Sequence, residues 1–76
     1  MNVIVYGAEW CPWCHKVKDW LKENKVKFEY KDVDEGNNAA EAVKASGQTG
    51  VPVTMVDKKA IVGFDIPKLK EALKIK

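Results

Sequence analysis

Apolar and polar positions change rhythm along the chain, and each change marks an element. Val3, Ile4, Val5 and Tyr6 form an unbroken apolar run, the pattern of a buried strand, and Gly7 and Ala8 read as the turn out of it. From Pro12 to Glu23 the period becomes helical: Val17, Trp20 and Leu21 share an inner face, while Lys16, Lys18, Asp19, Lys22 and Glu23 lie mostly outside. Pro12 suits the first helical position because its missing N–H would be unpaired there and its φ is already helical, and Asn24 ends the helix. Val26 to Tyr30 then alternates, with Val26, Phe28 and Tyr30 on one face and Lys27 and Glu29 on the other, which predicts a half-buried edge strand. Asp32 to Asn38 is turn-like. Asn38 followed three residues later by Glu41 is a capping signal for a helix over Ala39 to Ala45 that Gly47 ends.

Gln48, Thr49 and Gly50 lead into Val51-Pro52-Val53, and Thr54, Met55 and Val56 continue a strand. Asp57 and Lys58 turn it into a second strand at Ala60 to Val62, so the pair reads as a hairpin. Gly63, Phe64 and Asp65 precede a last helix, Ile66 to Leu73, with Ile66, Leu69, Ala72 and Leu73 on its inner face, Asp65 as N-cap and Pro67 in its first turn. The order is β-α-β-α-β-β-α. A right-handed crossover makes the first two strands parallel, and the hairpin adds two antiparallel ones, giving an α/β chain with a four-stranded mixed sheet and three helices.

Composition narrows the possibilities. Residues 1–76 show no linker or compositional break and are read as one small domain, and 46% hydrophobic content is enough for a core without disulfide support. No apolar run approaches the roughly 18 residues that span a bilayer, and no signal-type stretch opens the chain, so a cytosolic protein with no membrane partner is expected. The net charge of +2 comes from 13 lysines against 11 acidic residues, with no arginine. Arginine is the usual residue for bidentate contacts to bases and phosphates, so the lysines read as a solvated surface and no nucleic-acid partner is expected.

The only two cysteines stand in Cys11-Pro12-Trp13-Cys14, one helical turn apart and directly after the first strand. In a reducing compartment a lone pair of this kind is more often catalytic than structural. The free N–H groups at a helix N-terminus stabilise a thiolate, so Cys11, the last residue before the helix, is expected to ionise below the usual thiol value of about 8.5. Lys16 and Lys18, close to the cysteines, read either as a small further help to the thiolate or as solubilising surface charge. Cys11 is expected at the exposed tip as the attacking sulfur, with Cys14 further in, shielded and less ionised, as the resolving one. Zinc would need four protein ligands and the chain adds one histidine, His15, on the same helix. His15 also completes CxxCH, the haem-attachment pattern with Met55 as a conceivable distal ligand, but a strand runs into the motif and Met55 lies in a strand-like run. A disulfide within one turn closes too small a loop to staple a fold. Trp10 and Trp13 flank the motif and mark either a docking surface or local packing; Trp20 reads as core, Phe64 as either, and His15 as a surface residue with no proton-transfer role.

A strand followed by CPWC, an αβ crossover, Val51-Pro52 at the start of a hairpin and Gly63-Phe64-Asp65 before a final helix together resemble a glutaredoxin of the thioredoxin fold, over nearly the whole chain. The resemblance implies a cis Val51-Pro52 bond beside the cysteines, with the Val51 backbone free to pair with an incoming thiol peptide. It also implies substrate contacts at Trp10, Pro12 and Trp13, and a groove for a glutathione moiety bordered by Gln48, Val51, Pro52, Gly63, Phe64 and Asp65. Three positions depart from the family pattern: Ala8 where a lysine is common, Gly50 where a threonine is common, and Ile66 where a polar residue is common. Trp10 looks more like thioredoxin, and the short chain resembles redoxins that take electrons from thioredoxin reductase. The expected function is a monomeric dithiol–disulfide oxidoreductase without a bound organic cofactor or metal. It would act on protein disulfides or glutathione mixed disulfides, with glutathione or thioredoxin reductase as electron donor. Two rivals remain: a module in which two subunits share an iron–sulfur cluster through Cys11 and external thiols, and a non-enzymatic adaptor that binds through Trp10 and Trp13.

Overall fold

A computed structural model of the chain describes residues 2–48 and 50–75; Thr49 of the predicted linking segment lies outside the described residues. The elements are β1 (Val3–Gly7), α1 (Pro12–Glu23), β2 (Glu29–Asp32), α2 (Asn38–Ser46), β3 (Val53–Val56), β4 (Lys59–Val62) and α3 (Ile66–Leu73). Their order is the one expected, and the sheet runs β2-β1-β3-β4. β1 pairs parallel with β2 and antiparallel with β3, and β3 and β4 form the antiparallel hairpin.

Alternation along the central strands sends side chains to two cores. Val3 and Val5 meet Val17 and Leu21 of α1, Leu69 and Leu73 of α3, and Val56 and Ile61 of the hairpin. Tyr6 and Val53 point to the opposite face and pack with Ala42 of α2, with Ile4, Val33 and Met55 around them. The sheet is therefore covered by α1 and α3 on one face and by α2 on the other, which explains why β1 reads as apolar at every position.

Helices α1 and α3 have the bounds the sequence predicts, because their ends are set by local chemistry. Pro12 opens α1 and Pro67 stands in the first turn of α3, where the Asp65 carboxylate accepts from the Lys68 N–H at 3.2 Å. Leu69 and Leu73 are buried on the inner face, with Ile66 and Ala72 half-buried. Gly47 ends α2 in the left-handed conformation, φ 74°.

Four expectations are corrected. The second strand is Glu29–Asp32, not Val26 to Tyr30: Lys25 turns left-handed (φ 58°), and the Lys25 and Val26 N–H groups bond back to Lys22 and Leu21, so this stretch closes α1. Val26, Phe28 and Tyr30 still pack against the core, as their alternation requires. Asn38 does not cap α2. The helix begins at Asn38, its N-cap Asn37 makes no side-chain cap bond, the Asn38 amide donates to the Asp32 carbonyl (2.8 Å), and Glu41 is drawn to Lys31 (3.1 Å). β3 starts at Val53, after Val51-Pro52, and β4 starts at Lys59. Gly7 is the last residue of β1, hydrogen-bonded in the ladder beside Asp32, and not part of the turn. Among the described residues no helix is long and apolar enough to cross a membrane.

Candidate active site

The chain leaves β1 at Gly7 and folds through Ala8, Glu9 and Trp10, a turn closed by the Cys11 N–H on the Ala8 carbonyl at 3.1 Å. That turn delivers Cys11 to the N-cap of α1 with extended backbone angles (φ −102°, ψ 109°), and Pro12 starts the helix. Thiol sulfur then does what a serine or aspartate oxygen does at other N-caps: Cys11 Sγ accepts the backbone N–H of Cys14 at 3.3 Å. Both cysteines are free thiols.

Cys11 is not at an exposed tip. Only 6% of it is accessible, because Ala8, Val33 and Val51 pack around the cysteine pair; Cys14 is fully buried. The exposed groups are the flanking indoles, Trp10 at 67% and Trp13 at 54%. Burial pushes the Cys14 thiol up to about 12, reinforced by its hydrogen bond with Cys11, while the Ala8 backbone and Lys18 pull the other way. The two sulfurs are thus distinguished by what the N-terminus of the helix can offer: Cys11 Sγ receives a main-chain N–H, and Cys14 is held neutral by its apolar surroundings.

The Val51-Pro52 bond is cis, and the Gly63 N–H on the Pro52 carbonyl (2.8 Å) ties the α3 approach to it. Gly63 takes φ 80°, which only glycine adopts freely. Trp13, Val51, Pro52, Gly63 and Phe64 line an open groove of about 290 Å³ beside the cysteines. Its rim is aromatic: the Trp13 and Phe64 ring centroids are 6.1 Å apart, and Lys16 Nζ stands 4.4 Å from the Trp13 ring.

Other predicted border residues are elsewhere or occupied. The Gln48 amide folds onto its own loop, accepting from the Gly50 N–H (2.6 Å) and donating to the Gly50 carbonyl (2.8 Å) and Ser46 Oγ (3.2 Å). Asp65 caps α3, and neither it nor Gln48 lines the groove. Pro12 is exposed at the start of α1. Trp10 lies on the opposite side of Val51, where its N–H donates to Asp34 (2.9 Å) and its ring borders a second hollow of about 200 Å³ with Val33, Ala39, Ala42 and Val43. His15 Nε2 is engaged with the Glu9 carbonyl at 2.8 Å, away from the sulfurs. Among the described residues no cluster of three or more His, Cys, Asp and Glu side chains could hold a metal ion. Sequence reading missed Val33, whose apolar side chain in a turn-like stretch was the available signal, and Tyr30 as a neighbour of Cys14.

Residues 3–61 match the glutaredoxin family model. Glutaredoxin 3 of Escherichia coli strain K12 is 41% identical over 66 residues, covering 84% of this chain and 78% of its own. Among solved structures, a glutaredoxin from Archaeoglobus fulgidus superposes with a TM-score of 0.87 at 32% identity, over 96% of this chain and 86% of that one. The glutaredoxin-like NrdH-redoxin of Escherichia coli does so with 0.81 at 28% identity, over 93% of each. With the family model matched over most of the chain and relatives this similar in sequence and fold, this chain belongs to the glutaredoxin family of thiol–disulfide oxidoreductases within the thioredoxin superfamily.

Proposed function

We propose that the chain is a dithiol–disulfide oxidoreductase in which Cys11 attacks a substrate disulfide and Cys14 resolves the mixed disulfide. The observation that carries this reading is the Cys14 N–H donated to Cys11 Sγ at the start of α1, with the Cys14 thiol itself buried and held protonated. A main-chain donor stabilises negative charge on Cys11, and a second thiol one turn away makes release intramolecular, faster than any thiol arriving from solution. The reaction needs no bound organic cofactor and no metal.

Protein disulfides are the preferred substrates on this reading, and a flavoprotein reductase of the thioredoxin reductase kind is the electron donor. Three features support it. The groove beside the cysteines is walled by apolar groups, Trp13, Pro52 and Phe64. The polar side chains that would receive glutathione, Gln48 and Asp65, are held by their own backbone neighbours. The NrdH-redoxin, similar in fold over most of its length, is described as having a thioredoxin-like activity profile. On this reading the protein acts as a monomer in the cytosol, where a reductase returns the dithiol to the reduced state.

Parallel coupled assays of NADPH consumption with the oxidised protein test this, one with glutathione and glutathione reductase, the other with thioredoxin reductase alone. Turnover with thioredoxin reductase and not with glutathione is expected. Turnover only with glutathione reverses the donor assignment, and turnover with neither removes the enzymatic reading.

A further inference from the structure

β1 and β2 run parallel with Val5 beside Tyr30 and Gly7 beside Asp32, so the Tyr30 side chain lies on the α1 face of the sheet and reaches Gly7. A Cβ on Gly7 would stand 2.9 Å from Tyr30 Oη, 3.0 Å from its ring and 3.0 Å from Cys14 Cβ. The missing side chain of Gly7 therefore leaves a gap that the phenol fills from one side and Cys14 from the other. Tyr30 Oη is buried there and, among the described residues, has no hydrogen-bond partner. Burying a hydroxyl without a partner costs free energy, and the cost is recovered when an acceptor forms next to it. Lys18, one helical turn beyond Cys14, places Nζ 4.2 Å from the Tyr30 ring centroid and completes the cluster.

We infer that Tyr30 is a hydrogen-bond donor held ready for the Cys14 thiolate that forms during the resolving step. The inference rests on the assignment of Cys11 as attacking and Cys14 as resolving sulfur. Before that step Cys14 is a protonated thiol, and among the described residues the phenol has no partner. As the mixed disulfide Cys11–S–S–R is resolved, Cys14 gives up its proton and its sulfur attacks Cys11 Sγ. The bond from Cys11 to the substrate sulfur breaks, and R–S⁻ leaves with the electron pair and takes up a proton. Overall, Cys14–SH and Cys11–S–S–R become the Cys11–Cys14 disulfide and R–SH. Tyr30 keeps its own proton throughout and lends it only as a hydrogen bond. Burial, followed by the charge that would develop on Cys14, pushes the phenol up to about 12, so it is a donor at neutral pH. A donor fixed where charge develops, and idle before, favours the transition state over the ground state.

The test is Tyr30→Phe, which keeps the ring and removes the hydroxyl, followed by stopped-flow reaction of the reduced protein with 5,5′-dithiobis(2-nitrobenzoate). Attack by Cys11 releases one coloured thiolate and resolution by Cys14 releases the second; Cys14→Ser, lacking the second phase, identifies them. The first phase should stay within about twofold of wild type and the second should slow by about tenfold or more, the usual scale for a hydrogen bond to a charged group. Because the variant removes an unpaired buried hydroxyl, its melting temperature should not fall. An unchanged second phase, equal slowing of both phases, or slowing that accompanies a lower melting temperature overturns the role of Tyr30. A wild type in which Cys14→Ser removes the first phase instead overturns the assignment of the two sulfurs.

Discussion

Adding one methyl group at Gly7 puts a carbon 2.9 Å from Tyr30 Oη and 3.0 Å from both the Tyr30 ring and Cys14 Cβ, where relaxed contacts lie at about 3.5–4.0 Å. All three neighbours belong to packed side chains, so the strain cannot be relieved by swinging a free tip into solvent. Overpacking of this kind costs about 1–3 kcal/mol. Against it stands the roughly 0.4–1 kcal/mol that Gly→Ala gains by restricting the unfolded chain. The net expectation for Gly7→Ala is a loss of about 1–2 kcal/mol, or roughly 5–15 °C in melting temperature for a domain of this size. Urea unfolding with excess dithiothreitol, which keeps both thiols reduced, should show a lower midpoint with an unchanged slope. Repeating the substitution in a Tyr30→Leu background removes two of the three close contacts, and the penalty should shrink by about 1 kcal/mol. A midpoint that stays or rises in Gly7→Ala, or a penalty indifferent to residue 30, would refute the packing argument.

Two further predictions concern stability. Burial holds the Cys14 thiol protonated to about 12 in the folded protein, whereas the unfolded chain ionises near 8.5. The unfolded state therefore binds fewer protons between those values, and the reduced protein should lose stability as pH rises above about 8.5, having lost nothing below it. Cys14→Ala should flatten that slope in denaturation series run at successive pH values, and a slope retained in the variant would contradict it. Thr54 is fully buried and its hydroxyl has no partner among the described residues, so Thr54→Val, which keeps the shape, should be neutral or stabilising by about 1 kcal/mol; a clear loss in the same urea assay would show that the hydroxyl is satisfied in solution.

What could be read from the chain divides by how far away the deciding partner lies. Helices α1 and α3 are bounded by Pro12, Asn24, Asp65 and Pro67, groups that act within their own turn, and their limits were legible residue by residue. The Cys11-Pro12-Trp13-Cys14 turn was legible for the same reason, down to Cys11 as the cap. The register of β2 was not, because it depends on where β1 runs beside it: pairing begins at Ile4 with Glu29, after the Lys25 turn has closed α1. Asn38 and Glu41 carry a capping pattern, but the Asp32 carbonyl and the Lys31 ammonium, which arrive from β2, take both side chains. The burial of Cys11 likewise comes from Val33 and Val51, far off in sequence. Gly7 looked like a turn residue until Tyr30 and Cys14 were placed against it.

The same distinction bears on substrate choice, since a side chain's identity does not make it available. Gln48 is one of the residues that the family resemblance assigns to a glutathione groove, yet it holds three hydrogen bonds to Gly50 and Ser46. Each contributes about 0.5–1.5 kcal/mol at most, less where water competes, so a ligand that drew the amide away would first have to offset that sum. Gly50 makes the clasp possible: a Cβ there would lie 2.8 Å from Gln48 Oε1 and displace the tip. An extended protein segment has no need of the amide. On the proposed reading it would bring its own backbone donors and acceptors to pair beside the cis Val51-Pro52 loop and bury apolar side chains against Trp13 and Phe64. The clasp thus weighs against a small polar thiol and leaves a protein disulfide unhindered, which is the physical ground for expecting the two coupled assays to diverge.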